Sequence, residues 1–146
     1  MTHISPMVGL LYNPAIPIVL DALGAQVDFV EVIPDRLWYD FGAEAGRYRF
    51  SNAELAVDEL RRHTRDRAVV GHGIGLSLPS AMPLDEALVE QVAASHRDLN
   101  YRWYSEHLSM FLTPHGAIPN AQAGMGLPVV FDEETQIGRA SCRERV

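Results

Sequence analysis

The chain has 146 residues, 47% of them hydrophobic and 21% charged, with a formal net charge of −7, the size and make-up of one globular domain. The acidic balance argues against a nucleic-acid partner, because binding a phosphate backbone needs a basic surface. No apolar run approaches the roughly 20 residues of a transmembrane helix, and the N-terminus lacks the features of a signal peptide, so no membrane partner is expected and the cytoplasm is the expected location.

Met7 to Tyr12 is a short apolar run that reads as a buried strand. Asn13 and Pro14 then offer a capping side chain and a first-turn proline for a helix through about Leu23, closed by Gly24. Val27 to Ile33 is strand-like in its β-branched and aromatic content, with Glu31 among apolar neighbours. Pro34 to Phe50 is a long connection, rich in aromatics and Arg, and connections of this length in compact domains are often functional. Ser51 and Glu54 read as a capping box for a helix to about Arg62, with Leu55, Val57, Leu60 and the stem of Arg61 on its inner side. Ala68 to Val70 is a third strand, running into the glycine-rich stretch GHGIGLS that carries His72. Gly71, Gly73 and Gly75 there can reach positive φ, or let backbone or ligand come close. Leu84 to Leu99 is an amphipathic helix, with Asp85, Glu86, Glu90 and Gln91 outside. Tyr101 to Met110 is a fourth strand with Ser105, Glu106 and His107 at its end, followed by an irregular stretch to Pro128 and a helix start at Asp132 to Thr135.

This alternation of strand and helix predicts an α/β fold with about four parallel strands. Sites in such sheets lie at the carboxyl ends of the strands, where Glu31, His72, Glu106 and His107 fall. A complete (β/α)8 barrel takes roughly 250 residues, so the expectation is the N-terminal half of a TIM barrel, residues 1–136. Its unpaired edges would leave it marginally stable or insoluble alone. Residues 137–146, IGRASCRERV, read as the translation of a sequencing-library adapter and not as natural sequence. On that reading Cys142, the single cysteine, carries no functional information.

Two strand-end histidines with carboxylates nearby make a plausible partial metal site, since imidazole suits Zn, Fe, Cu and Ni and carboxylates widen the choice toward Fe and Mn. Glu31 could be a ligand, a partner that orients an imidazole, or the ion-pair partner of an Arg such as Arg36. Glu106 and His107 are adjacent and would point to opposite faces of a regular strand. His107 is therefore assigned to the site and Glu106 to a supporting or ligand role. His3, His63 and His96 read as exposed, His115 lies in a loop that could approach the site, and Trp38, Tyr39 and Trp103 read as packing residues. No P-loop, dinucleotide fingerprint or GxSxG elbow is present, so Ser77 and Ser105 gain no nucleophile context. The catalytic and substrate-binding residues stay unassigned.

The segments VEVIPDRLWYD, HGIGLSL and SEHLSMF together resemble the DUF692 family, also called multinuclear non-heme iron-dependent oxidative enzymes, and the likeness runs from Met7 to Thr135. It implies a TIM barrel similar to xylose isomerase and two or three iron ions. It also implies O2-dependent modification of a peptide, usually at cysteine, often with a partner protein that presents the substrate. By this resemblance His72 and His107 match iron ligands and Glu106 stands where the family has Asp or Glu, while the other ligands would come from beyond this chain. The first strand departs from the family pattern, with Leu11, Tyr12, Asn13 and Pro14 where many members carry an Arg and a His. Two rival readings remain for the intact protein: a divalent-metal isomerase or hydrolase on the same barrel, and a non-catalytic peptide-binding barrel. On the iron-dependent oxidative reading the chain by itself is expected to be inactive.

Overall fold

The computed structural model describes residues 6–79 and 83–109. His3, His115, the irregular stretch to Pro128, the helix start at Asp132 and the tail with Cys142 lie outside the described residues. In chain order the elements are β1 (Gly9–Leu11), α1 (Ile16–Leu23), β2 (Phe29–Val32), β3 (Trp38–Asp40), β4 (Phe50–Asn52), α2 (Glu54–His63), β5 (Ala68–Gly73), α3 (Glu86–Leu99) and β6 (Tyr104–Glu106). Four strands form one parallel sheet in the order β1-β2-β5-β6, each pairing with the next in sequence, as a helix crossover between neighbours dictates. The fold is thus α/β with four parallel strands. Barrel closure would need strands beyond these four.

Register sorts the side chains between two faces, because partners in a parallel ladder share a face and neighbours along a strand alternate. Val30, Val32 and Val69 belong to the main buried cluster with Leu20 of α1, Val57 and Leu60 of α2, and Leu88 and Val92 of α3. Val30 and Leu60 are wholly inaccessible. The opposite face carries Leu11, Phe29, Glu31, Val70, His72 and Ser105, and none of these belongs to that cluster.

The long connection after β2 folds into a structure of its own, which composition did not reveal. β3 and β4 pair antiparallel, with Tyr39 opposite Ser51 and Trp38 opposite Asn52. The loop between them turns at Gly42 (φ 85°) and Gly46 (φ 52°), both in the region that favours glycine. Arg49 fastens this hairpin to the start of α3 by bonding Asp40 at 2.9 Å and Asp85 at 2.7 Å. Asp85 also caps α3, accepting from the Leu88 N–H at 3.2 Å, so the helix begins at Glu86 and Asp85 is a clamp residue.

Several local expectations give way here. Ser51 does not cap α2: it lies in β4, and Ala53 precedes the helix with no side-chain cap. Leu55 is 88% exposed, because the inner stripe runs through Val57 and Leu60 and Leu55 lies about 200° round the helix from Val57. α1 does end at Leu23 with Gly24 as its C-cap, and the chain runs on from there as a 3-10 turn; a Cβ on Gly24 would overlap the Arg67 guanidinium. Trp38 is buried, whereas Tyr39 and Trp103 are exposed.

Candidate metal centre

β5 is longer than its apolar run, because Gly71, His72 and Gly73 are strand and not turn. None of these glycines has a positive φ. They are small because the neighbouring strand crowds them. A Cβ on Gly71 would lie 2.8 Å from the Tyr104 ring and 2.9 Å from the Tyr101 ring, and one on Gly73 would overlap the Tyr104 hydroxyl and Glu106. With Gly71 opposite Tyr104, His72 opposite Ser105 and Gly73 opposite Glu106, the glycines face the helices and His72 faces the other way. The His107 N–H donates to the Gly73 carbonyl at 3.0 Å, carrying the pairing one residue past β6. Its imidazole meets that of His72, with ring centroids 4.5 Å apart and planes inclined at 52°. His72 Nδ1 lies 2.7 Å from Ser105 Oγ.

Behind this pair, two carboxylates hold the loop that leaves β5. Glu106 accepts from the Tyr104 hydroxyl at 2.5 Å and from the Leu76 N–H at 3.3 Å. Burial pushes its carboxyl up to about 7, against the Tyr104 bond and with help from the charge of Asp35. Asp35 Oδ2 accepts from the Ile74 N–H at 3.0 Å. Its Oδ1 is buried with no hydrogen-bond partner among the described residues, and Gly75 leaves no room for a Cβ beside it. Burial raises the Asp35 carboxyl above its ordinary value, opposed mainly by backbone N–H groups and to a smaller degree by His107. Sequence reasoning did not single out Asp35. Its signal was slight, an acidic residue after Pro34 where a strand meets a long connection.

The four expected site residues are therefore split. His72 and His107 come together. Glu106 lies on the opposite face and braces the loop. Glu31 shares the His72 face by register but sits one strand away opposite Val70. Its carboxylate makes no hydrogen bond or ion pair with a described residue, so the pairing with Arg36 does not form. His63 is half-buried, its ring against the Glu59 carbonyl at 2.9 Å, and His96 is exposed and stacked on Tyr101.

Two adjacent imidazoles fit a borderline transition-metal ion in kind. Among the described residues no group of three or more His, Cys, Asp or Glu comes together to hold one. The pair can supply part of a donor set, and the rest must come from elsewhere.

Comparison with known proteins places the chain in a family. The model of the RiPP precursor modification enzyme family MbnB/TglH/ChrH matches residues 7–137. A UPF0276 protein of Alcanivorax borkumensis is 32% identical over 107 residues, 73% of this chain and 30% of that protein. UPF0276 proteins of Nitrosospira multiformis and Pseudomonas aeruginosa are each 29% identical, over 82% and 84% of the chain and 36% and 37% of their own length. The chain thus spans about a third of the curated relatives it matches. Together with the DUF692-type motifs around His72 and His107, the match shows that this chain belongs to the MbnB/TglH/ChrH family of RiPP precursor modification enzymes.

Proposed function

We propose that this chain is the N-terminal part of a TIM-barrel enzyme that modifies a ribosomally made peptide oxidatively, using iron and O2, with His72 and His107 among the iron ligands. The observation that carries the reading is the imidazole pair, 4.5 Å between centroids, at the carboxyl ends of adjacent parallel strands. Family membership supports a peptide substrate, and enzymes of this family are generally metal-dependent. Bound iron would supply activation of O2. The chain's own residues have other tasks. His72 and His107 offer nitrogen donors, and Asp35 and Glu106 hold the loop after β5 against the sheet. The half-buried Glu31, on the same face as the imidazoles, is available to bind or to orient a ligand. Two or three irons, cysteine as the target, a substrate-presenting partner protein and a cytoplasmic setting belong to the same proposal. No described helix is long and apolar enough to cross a membrane. The matched third of the protein would be inactive alone, since the two imidazoles leave most coordination positions unfilled.

The test is elemental analysis of anaerobically prepared full-length protein. Two or more irons per chain, lost in His72→Ala or His107→Ala, with Fe(II)-dependent oxygen uptake in the presence of peptide, supports the proposal. Full activity with Mg2+ or Zn2+ would replace it with Lewis-acid chemistry on the same barrel. A metal-free, well-folded protein in which both substitutions are silent would make the barrel a peptide-binding scaffold.

A further inference from the structure

Among the described residues, the Ser105 hydroxyl is the hydrogen-bond partner of the His72 imidazole, 2.7 Å from Nδ1. The same hydroxyl reaches the Gly71 carbonyl at 3.4 Å. A carbonyl can only accept, and a serine hydroxyl has one proton to give. When that proton points at Gly71, the oxygen faces Nδ1 with a lone pair and accepts the Nδ1 hydrogen; when it points at Nδ1, the ring nitrogen accepts and the imidazole hydrogen sits on Nε2. A neutral imidazole carries one hydrogen, so only the first arrangement leaves the Nε2 lone pair free for a metal ion. Free histidine prefers the reverse arrangement, with hydrogen on Nε2, and the hydrogen bond at one ring nitrogen decides the state of the other. Ser105 suits this task because it is the register partner of His72 in the ladder. Its short side chain has one rotor and a backbone fixed by pairing on both sides of the contact.

We propose that Ser105 is a positioning residue: it holds His72 as the Nδ1–H tautomer, aims the ring, and presents the Nε2 lone pair to a metal ion. The choice between the two arrangements rests on the metal-centre reading above, since a ring that binds metal through Nε2 carries its hydrogen on Nδ1, where Ser105 Oγ accepts it. A serine nucleophile activated by His72 would need its proton pointed at the ring. The Gly71 carbonyl offers that proton another acceptor, and no carboxylate of the described residues bonds the imidazole.

The experiment uses the full-length protein with 15N-labelled histidine, near pH 8.5 and so about two units above the ordinary imidazole value. Long-range 1H–15N spectra read each tautomer, and His72→Gln identifies the His72 signals. Wild type should show hydrogen on Nδ1 of His72. Ser105→Ala should shift it mainly to Nε2, and Ser105→Thr, which keeps the hydroxyl, should restore the wild-type pattern. Co(II) affinity, followed by visible absorption, should fall about tenfold or more in Ser105→Ala and stay within about threefold in Ser105→Thr. Hydrogen on Nε2 in the wild type, or a tautomer unchanged in Ser105→Ala, overturns the proposal. So does covalent capture of Ser105 by a fluorophosphonate. If the tautomer behaves as expected but Co(II) does not perturb His72, the metal-centre reading fails while the Ser105-imposed tautomer stands.

Discussion

The two faces of the parallel sheet do different work with the same strands. On the helix-covered face, Val30, Val32 and Val69 meet Leu20, Leu60 and Leu88 in a continuous apolar cluster. On the other, Phe29, Glu31, His72 and Ser105 mix aromatic, acidic and imidazole groups, with Leu11 and Trp103 largely exposed. Apolar burial is concentrated on the first face, and the proposed ligand chemistry belongs to the second. Substitutions on the two faces should therefore be separable, and the following tests would break or sharpen that division.

The largest effect is expected for Leu60→Ala, which empties the most deeply buried helix position and should cost about 2–5 kcal/mol in urea unfolding. A loss below 1 kcal/mol would mean that the covered face does not dominate stability. Next is Gly73→Ala. Its new methyl would press on Tyr104 and Glu106 and should cost about 1–3 kcal/mol through overpacking. The added methyl also threatens the His72–Ser105 register, so the His72 tautomer spectrum should change in parallel.

Arg49→Gln tests the clamp between the hairpin and α3 and should cost about 0.5–1 kcal/mol, since both carboxylates are partly solvated. Arg49 bonds hold Asp40 and Asp85 below their ordinary value of 3.8. A carboxylate depressed in the folded state stabilises it above the unfolded pKa and loses that contribution as pH falls. The difference between wild type and Arg49→Gln should thus be full at neutral pH and close as the pH drops below 3.8. A gap that survives acidification would make the Arg49 contribution one of packing. The smallest effects are expected for Trp103→Ser and Leu55→Ser, each within about 0.5 kcal/mol by thermal unfolding of the full-length protein.

Sequence pattern reached the architecture because alternating apolar strands and amphipathic helices carry long-range information in their periodicity. The four strands, the α3 stripe and the placement of His72 and His107 at strand ends were readable for that reason. The hairpin in residues 38–52 was not. Its strands are three residues each, and Ser51 with Glu54 satisfies a helix-start pattern while the real requirement on Ser51 is pairing with Tyr39. Gly71 and Gly73 looked like a turn because glycine is usually explained by its own backbone. Here the cause lies in Tyr101, Tyr104 and Glu106, some thirty residues on. Asp35 was hidden in the same way, since its partner Ile74 is 39 residues distant. What sequence cannot display is a local choice imposed by a remote neighbour.

The alternation of glycine and histidine in β5 has a consequence for how this protein can vary. Gly71, His72 and Gly73 form a phase: odd positions yield space to the neighbouring strand and the even one delivers the imidazole. A single inserted or deleted residue within β5 would shift that phase by one. It would drive a bulky ring into Tyr104 and turn a bare glycine toward His107. Loss of packing and loss of the site would arrive in one step. Length changes should be tolerated in the hairpin between β3 and β4, and within β5 only in pairs.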